Sequence, residues 1–281
     1  RQVLTMMGDL LFATGRFADA TSHYERALQQ GVKPELQVKL GNALLKAGNL
    51  KEAGEIFEAV VKGQSFYAAD AYLGLGDVHR AEGLTEKARS DYKEGFKRSQ
   101  YRTELREQLG ERILELDPED IDTRFDLAKT YQRARDYDKA IAHYRELLKR
   151  QPDSYDAYQG LAECYVAKED YESAKGAYKR MVELTEEAGR KALLYRKVLE
   201  AEEKLVGEGN KLGEDGLEAL LELAKLYLAQ GKKDEAKSQL ERLGEENPDW
   251  RSDEVAALWA ELESLQTPES EVEAPPQPEG P

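Results

Sequence analysis

Three histidines and one cysteine are the side chains best suited to acid–base, nucleophilic or soft-metal chemistry, and their spacing assembles none of it. His23, His79 and His143 stand far apart in the chain. None has a second histidine, or an HExxH partner, at the spacing by which a helix presents two ligands on one face. Each is expected to serve packing. Cys164 lies between Glu163 and Tyr165 in an apolar-periodic stretch, where a packed thiol is expected rather than a reactive one. As the single cysteine it also excludes an intramolecular disulfide. The run from Gly207 to Gly213 has the glycine content of a phosphate loop. It lacks GKS or GKT and a preceding strand, and Glu208, Glu214 and Asp215 flank it with the wrong charge. Gly74 and Gly76 precede Asp77 within a helical pattern, where close packing explains them. Asp117, Glu119, Asp120 and Asp122 miss the spacing and the glycine of an EF-hand loop, and suit a turn and helix N-cap. No catalytic residue, metal site or cofactor is therefore assigned, and a non-enzymatic role is expected.

The elements that carry these residues recur. LGNALLKAG (Leu40 to Gly48) has counterparts beginning at Met7, Leu75, Leu127, Leu161 and Leu223. The small residue after each of these, Gly8, Gly41, Gly76, Ala128, Ala162 and Ala224, recurs at intervals of 33, 35, 52, 34 and 62 residues. Apolar residues three and four apart follow in two successive stretches of each unit, the mark of two amphipathic helices. The second stretch carries Ala20, Ala53, Ala88, Ala140, Ala174 or Ala236, and four residues on Tyr24, Phe57, Tyr92, Tyr144, Tyr178 or Leu240. Gly41 and Ala53 are expected to face each other across their pair. Asp117-Pro118, Gln151-Pro152 and Asn247-Pro248 end helices, since the residue before proline is pushed out of the helical region. A period near 34 means stacked helical pairs, none of which buries its apolar face alone.

This grammar resembles the tetratricopeptide repeat (TPR), with its small residue at repeat position 8, Ala at 20, aromatic at 24 and Pro at 32. The resemblance covers most of Arg1 to Trp250. It implies an all-α, right-handed superhelical solenoid of stacked antiparallel helix pairs, about six repeats with inserted helices and a C-terminal capping helix. The first helix of each pair would line a concave groove that holds a protein or peptide partner. Carried over by repeat position, the groove residues are Thr5, Asp9 and Phe12, then Val38, Asn42, Leu45 and Lys46, then Leu73, Asp77 and Arg80. The fourth repeat adds Phe125, Lys129, Gln132 and Arg133, the fifth Gln159, Glu163 and Val166, the sixth Leu221, Lys225 and Leu228. An asparagine such as Asn42 can bond a peptide backbone through both halves of its amide. Thr5 and Asp9 stand where a carboxylate clamp for a chaperone tail would need Lys and Asn, so that clamp is not expected.

Two intervals are too long for the repeat. The expected division is three repeats over 1–98, an inserted helix over 99–118, two repeats over 119–184, and a long inserted helix with a glycine-rich loop over 185–216. A sixth repeat over 217–250, a capping helix over 251–266 and a disordered Pro/Glu-rich tail or linker over 267–281 complete it. Leu105, Leu109, Ile113 and Leu116 give the first insert its stripe. The alternative there is a second helix that runs on through Ser99 to Tyr101.

The formal charge is −15, from 41 basic and 56 acidic residues. Such a field repels nucleic acid and anionic membranes, and favours a basic or amphipathic protein segment. Lys97, Arg98, Arg102 and Arg106 form one local basic run. No stretch reaches the ~18–20 apolar residues of a membrane span, so no direct membrane insertion is expected. A cytoplasmic location is expected, or a periplasmic or envelope-associated one if an N-terminal signal was removed. Oligomeric state is not indicated. The expected function is a protein-interaction scaffold or adaptor. The alternatives are an assembly factor of an envelope, pilus or secretion complex, or the regulatory arm of a larger multidomain protein.

Overall fold

Every amphipathic stretch of the sequence becomes a helix. The computed structural model describes residues 1–266, and these form fifteen α-helices with no strand among them. Thr267 to Pro281, expected to be disordered, lie outside the described residues. The chain divides into two compact units, Arg1–Arg150 and the residues from Gln151 onward.

In the first unit, consecutive helices pack as pairs: α1 (Gln2–Ala13) with α2 (Phe17–Leu28), α3 (Pro34–Lys46) with α4 (Leu50–Lys62), and α5 (Ala68–Ala81) with α6 (Thr85–Arg98). A single helix, α7 (Thr103–Leu116), comes next, followed by the pair α8 (Ile121–Arg133) and α9 (Tyr137–Arg150). Each even-numbered helix from α2 to α6 also packs on the helix that follows it, while α3, α5 and α7 touch side by side.

In the first three repeats the small residue of the first helix seats an aromatic ring. A Cβ on Gly8, Gly41 or Gly76 would stand 2.4, 2.6 or 2.3 Å from the ring of Tyr24, Phe57 or Tyr92. Gly41 thus makes room for the Phe57 ring. The tight turn after a first helix needs a left-handed residue, supplied by Gly48 at φ +87° in the second repeat. Arg135 (φ +63°) turns the same corner after α8 without being glycine.

α6 stops at Arg98, and a turn in which Arg102 N–H donates to Ser99 O (2.9 Å) separates it from α7. Leu105, Leu109 and Ile113 of α7 are buried. The basic run is not an open patch. Arg98 pairs with Glu94, and Arg102 forks onto Asp70. Arg106 is buried over the Phe96 ring and donates to Phe96 O, Thr130 Oγ1 and Asp126. The guanidiniums of Arg102 and Arg106 stitch helices together.

The second unit holds the pair α10 (Tyr155–Ala167) and α11 (Tyr171–Glu183), the long α12 (Ala188–Val206), the pair α13 (Glu214–Ala229) and α14 (Lys233–Glu246), and α15 (Ser252–Gln266). α12 packs between α11 and α13. Gly216, expected in the loop, lies in the first turn of α13. A buried ion network fixes the loop: Lys175 Nζ meets Glu202 (2.8 Å), Glu172 (3.0 Å) and Asp215 (3.0 Å), and Glu202 Oε1 accepts from Gly213 N–H (3.0 Å). Burial opposes the charge on Lys175, but the three carboxylates outweigh it and hold the ammonium's pKa above its ordinary value. Leu258 and Leu262 bury the inner face of α15 against α13 and α14.

Candidate partner-binding groove

In the first three repeats the residue after the small position has one of two fates, decided by the second helix. In the first repeat the Tyr24 hydroxyl donates to Asp9 Oδ1 at 2.8 Å, and Lys39 Nζ meets the same carboxylate at 2.9 Å. In the third repeat Tyr92 donates to Asp77 Oδ1 at 2.7 Å. Burial, then the bonded carboxylate, pushes both phenols well above the tyrosine range, so they remain donors. In the second repeat the ring is Phe57, which has no hydroxyl. Asn42 is half-buried and makes no hydrogen bond among the described residues. Asn42 occupies in α3 the place that Asp77 occupies in α5, so the two share a face one repeat apart.

On that face α5, α7 and α8 enclose a cleft of about 530 Å³. Its lining carries five carboxylates, Asp77, Glu104, Glu107, Glu111 and Glu115, against the single guanidinium of Arg112. Three of the acids are held within the protein. Asp77 has Tyr92 and Arg112, and Glu115 has Arg80 (2.6 Å) and Arg112 (3.2 Å). Glu111 accepts from Tyr131 (2.9 Å) and faces His143 Nε2 at 3.4 Å; these bonds keep its carboxyl below the usual range against burial. Glu104 and Glu107 make no hydrogen bond or ion pair among the described residues. Burial pushes Glu107 above the usual carboxylate range; the nearby Lys139 ammonium opposes this, and Asp136, Glu104 and Glu111 add to it.

The sequence-derived groove residues are only partly brought together. Leu73 and Asp77 line the cleft, with Arg80 tied to its Glu115. Leu45 and Lys46 reach the surface of α3, while Val38 is buried and offers no open pocket. Phe12 packs edge-on against Phe17, and the Thr5 hydroxyl donates to Arg1 O. Phe125, Lys129 and Arg133 lie along another flank of α8. Lys129 sits over the Phe125 ring, and Arg133 Nε donates to Lys129 O. The cleft instead receives Tyr131, two residues from Lys129 and so about 160° away around the helix axis. In the second unit Leu221 and Leu228 are core residues, and Lys225 is paired with Glu222 and Glu254.

The residues missed belong to α7: Glu104, Glu107, Glu111 and Glu115, spaced three, four and four apart. That spacing places them on one helix face, so the signal was present in the sequence. The histidines stay separate. His79 Nδ1 lies 2.6 Å from Asp91 Oδ2, and His143 stacks on the Tyr131 ring at 5.4 Å. Cys164 is fully buried, and burial pushes its thiol up to about 11. No described helix is long and apolar enough to cross a membrane.

A family model described as tetratricopeptide repeat matches residues 5–68, 38–99 and 125–189, and a second of the same description matches 205–262. TPR repeat-containing protein YpiA of Bacillus subtilis is 27% identical over 151 residues, which cover 48% of this chain and 36% of that protein. The chain thus spans little more than a third of that relative's length. Among solved structures, the yeast Sti1 TPR2AB domain in its pHSP90 complex is 15% identical (93% of this chain, 98% of that one, TM-score 0.36). The thermophilic TPR protein TTC0263 of Thermus thermophilus is 22% identical (70% and 98%, TM-score 0.32).

Proposed function

Since the chain belongs to the tetratricopeptide-repeat family, whose members are generally non-enzymatic scaffolds for protein–protein interaction, we propose that its first unit binds a basic, extended segment of a partner protein. The segment's backbone bonds to Asn42, and its Lys or Arg side chains reach Glu104 and Glu107. The observation that carries this reading is the uncommitted amide of Asn42, flanked one repeat away on either side by acids locked to tyrosine. A side-chain amide offers a donor and an acceptor together, which is what an extended peptide backbone presents. The acidic cleft supplies the sign of the partner's charge, and it opposes nucleic-acid phosphate.

Peptides selected from a random display library against the 281-residue chain serve as the probe. Binders should be enriched in Lys and Arg, and each should lose about tenfold in affinity with Asn42→Leu or with Glu104→Gln/Glu107→Gln. Circular dichroism checks that the variants fold. Binders without basic residues, or with the same Kd for both variants, reject the reading.

A further inference from the structure

The three turns that lead into α3, α5 and α7 each hold one large apolar side chain out in solvent. Val32, Phe66 and Tyr101 stand 34 and 35 residues apart, the repeat period, and remain 72, 73 and 96% exposed. Because α3, α5 and α7 lie side by side, the turns at their N-terminal ends form one edge, with steps of about 8–10 Å set by helix packing. Contacts run along it: Glu35 of α3 reaches the Tyr67 phenol, and the Arg102 guanidinium lies 4.9 Å from the Phe66 ring centre. Each turn is closed by a backbone hydrogen bond. Gly31 N–H donates to Leu28 O (2.9 Å), Gln64 N–H to Val61 O (3.1 Å) and Arg102 N–H to Ser99 O (2.9 Å). Ser99 is buried, so the last turn faces inward there and outward at Tyr101.

The charge of this edge is opposite to that of the whole chain. Residues 26–33, 60–67 and 95–102 hold Arg26, Lys33, Lys62, Lys97, Arg98 and Arg102 and no acid, in a chain of formal charge −15. Arg26, Lys33 and Lys97 are exposed and make no ion pair among the described residues. Lys62 and Arg98 pair with Glu58 and Glu94 on their own helices, exposed contacts that a competing anion displaces. Acids return in the first turn of each following helix, as Glu35, Asp70 and Glu104, and Arg102 neutralises Asp70. The net field opposes approach from a distance. Charges beyond about 8–10 Å are screened at physiological salt, so at contact the edge acts with its own sign.

We propose that this edge seats the protein on an anionic lipid surface, with Val32, Phe66 and Tyr101 entering the boundary between headgroups and acyl chains and Lys33, Lys62 and Lys97 meeting lipid phosphates. The pattern favours lipid over a protein partner. Tips separated by Gln, Gly and Ser give no continuous stripe on which a helix could lie. Each tip instead pairs an apolar side chain with a base, which suits a surface that is anionic on top and apolar a few ångströms down. Aromatic rings settle at that depth, and long lysine side chains reach back to the phosphates. The seat is peripheral, since no described helix is long and apolar enough to cross a bilayer. This proposal rests on neither Asn42 nor the acidic cleft.

The full chain is sedimented with vesicles of phosphatidylcholine alone and of equimolar phosphatidylcholine and phosphatidylglycerol. It is expected to follow the phosphatidylglycerol vesicles only, and raised salt should weaken the binding. Phe66→Ser/Tyr101→Ser and Lys33→Glu/Lys97→Glu, all at exposed positions, should each weaken it at least about tenfold. Lys51→Glu/Lys87→Glu makes the same change in net charge at the opposite ends of α4 and α6, and should leave binding unchanged. Phe66→Trp should gain a blue-shifted emission on these vesicles that the unmodified chain lacks, and circular dichroism checks that every variant folds. Absence of sedimentation with phosphatidylglycerol vesicles overturns the proposal. So does binding that survives Phe66→Ser/Tyr101→Ser, or an equal loss with Lys51→Glu/Lys87→Glu. Capture of an oligoglutamate peptide, abolished by Lys33→Glu/Lys97→Glu and without vesicle binding, would make a protein the occupant and overturn it as well.

Discussion

Removing the Tyr92 hydroxyl should both loosen the third repeat and free an acid for the cleft. Tyr92 is fully buried over Gly76 and donates to Asp77 at 2.7 Å. A hydrogen bond to a charged acceptor contributes about 1.5–3 kcal/mol. Asp77 keeps a side-chain exposure of 30% and has Arg112 Nε at 3.6 Å, so water and the guanidinium recover part of that in Tyr92→Phe. The expected loss is therefore about 1–2 kcal/mol, read as a lower urea midpoint by far-UV circular dichroism at unchanged m-value. Tyr24→Phe should cost less, because Lys39 already holds Asp9 through both oxygens at 2.9 and 3.0 Å. A double-mutant cycle of Tyr92→Phe with Asp77→Ala isolates the pair and should return a coupling near 1 kcal/mol. Basic peptides should bind Tyr92→Phe more tightly, since Asp77 then faces the cleft with Arg112 as its one remaining partner. A coupling below about 0.3 kcal/mol, or weaker peptide binding, would refute the idea that tyrosine locks these positions and that Phe57 leaves Asn42 open.

Arg135→Gly should raise stability by about 1 kcal/mol in the same urea assay, because Arg135 turns its corner at φ +63° at a steric cost glycine does not bear. Lys175→Met should destabilise the second unit by about 3–5 kcal/mol, since it leaves the buried Glu202 carboxylate with Gly213 N–H alone. Lys175→Met/Glu202→Leu should recover most of that, and failure to recover would mean the ions hold the loop in a way packing cannot replace. Glu107→Gln should stabilise the protein at pH 7 but not at pH 4. The folded-state pKa of Glu107 is raised, so its penalty appears as pH rises past the ordinary value of 4.5 and vanishes below it. An equal urea-midpoint shift at both pH values would show that charge on Glu107 is not the cause.

The repeat was legible because packing wrote it redundantly: the Gly41–Phe57 contact needs a small and an aromatic residue at fixed spacing, and Gly8–Tyr24 and Gly76–Tyr92 restate it. The seating of the Phe57 ring on Gly41 was not legible, because helix periodicity fixes which residues share a face and not which meet across a pair. The groove was harder to read. Repeat position pointed to Leu73 and Asp77, which line a cleft, and it put Val38 on the surface where the fold buries it. Phe125, Lys129 and Arg133 follow the α7 insert. One additional helix between α6 and α8 changes which flank of α8 meets the cleft, a rotation that position counting along the chain does not register. The difference between Asn42 and its neighbours was present in the sequence as Phe57 against Tyr24 and Tyr92. Its meaning depended on a hydrogen bond that only three-dimensional placement reveals.

The four glutamates of α7 tie these strands together. Like charges three and four residues apart disfavour a helix by about 0.2–0.5 kcal/mol per pair, so the ladder of Glu104, Glu107, Glu111 and Glu115 does nothing for α7 in isolation. The helix forms because its other face buries Leu105, Leu109 and Ile113, a hydrophobic gain of about 1.5–3 kcal/mol for each side chain. Within the fold, Tyr131, His143, Arg80 and Arg112 relieve the lower half of the ladder by direct contact, whereas the upper half, Glu104 and Glu107, has no bonded partner among the described residues and only the more distant charges of Arg102 and Lys139. A basic side chain from outside would relieve the upper half as Arg80 and Arg112 relieve the lower. On the proposed reading the inserted helix is thus no interruption of the groove but its charged wall, and deleting the charge there should make the protein more stable and less able to bind.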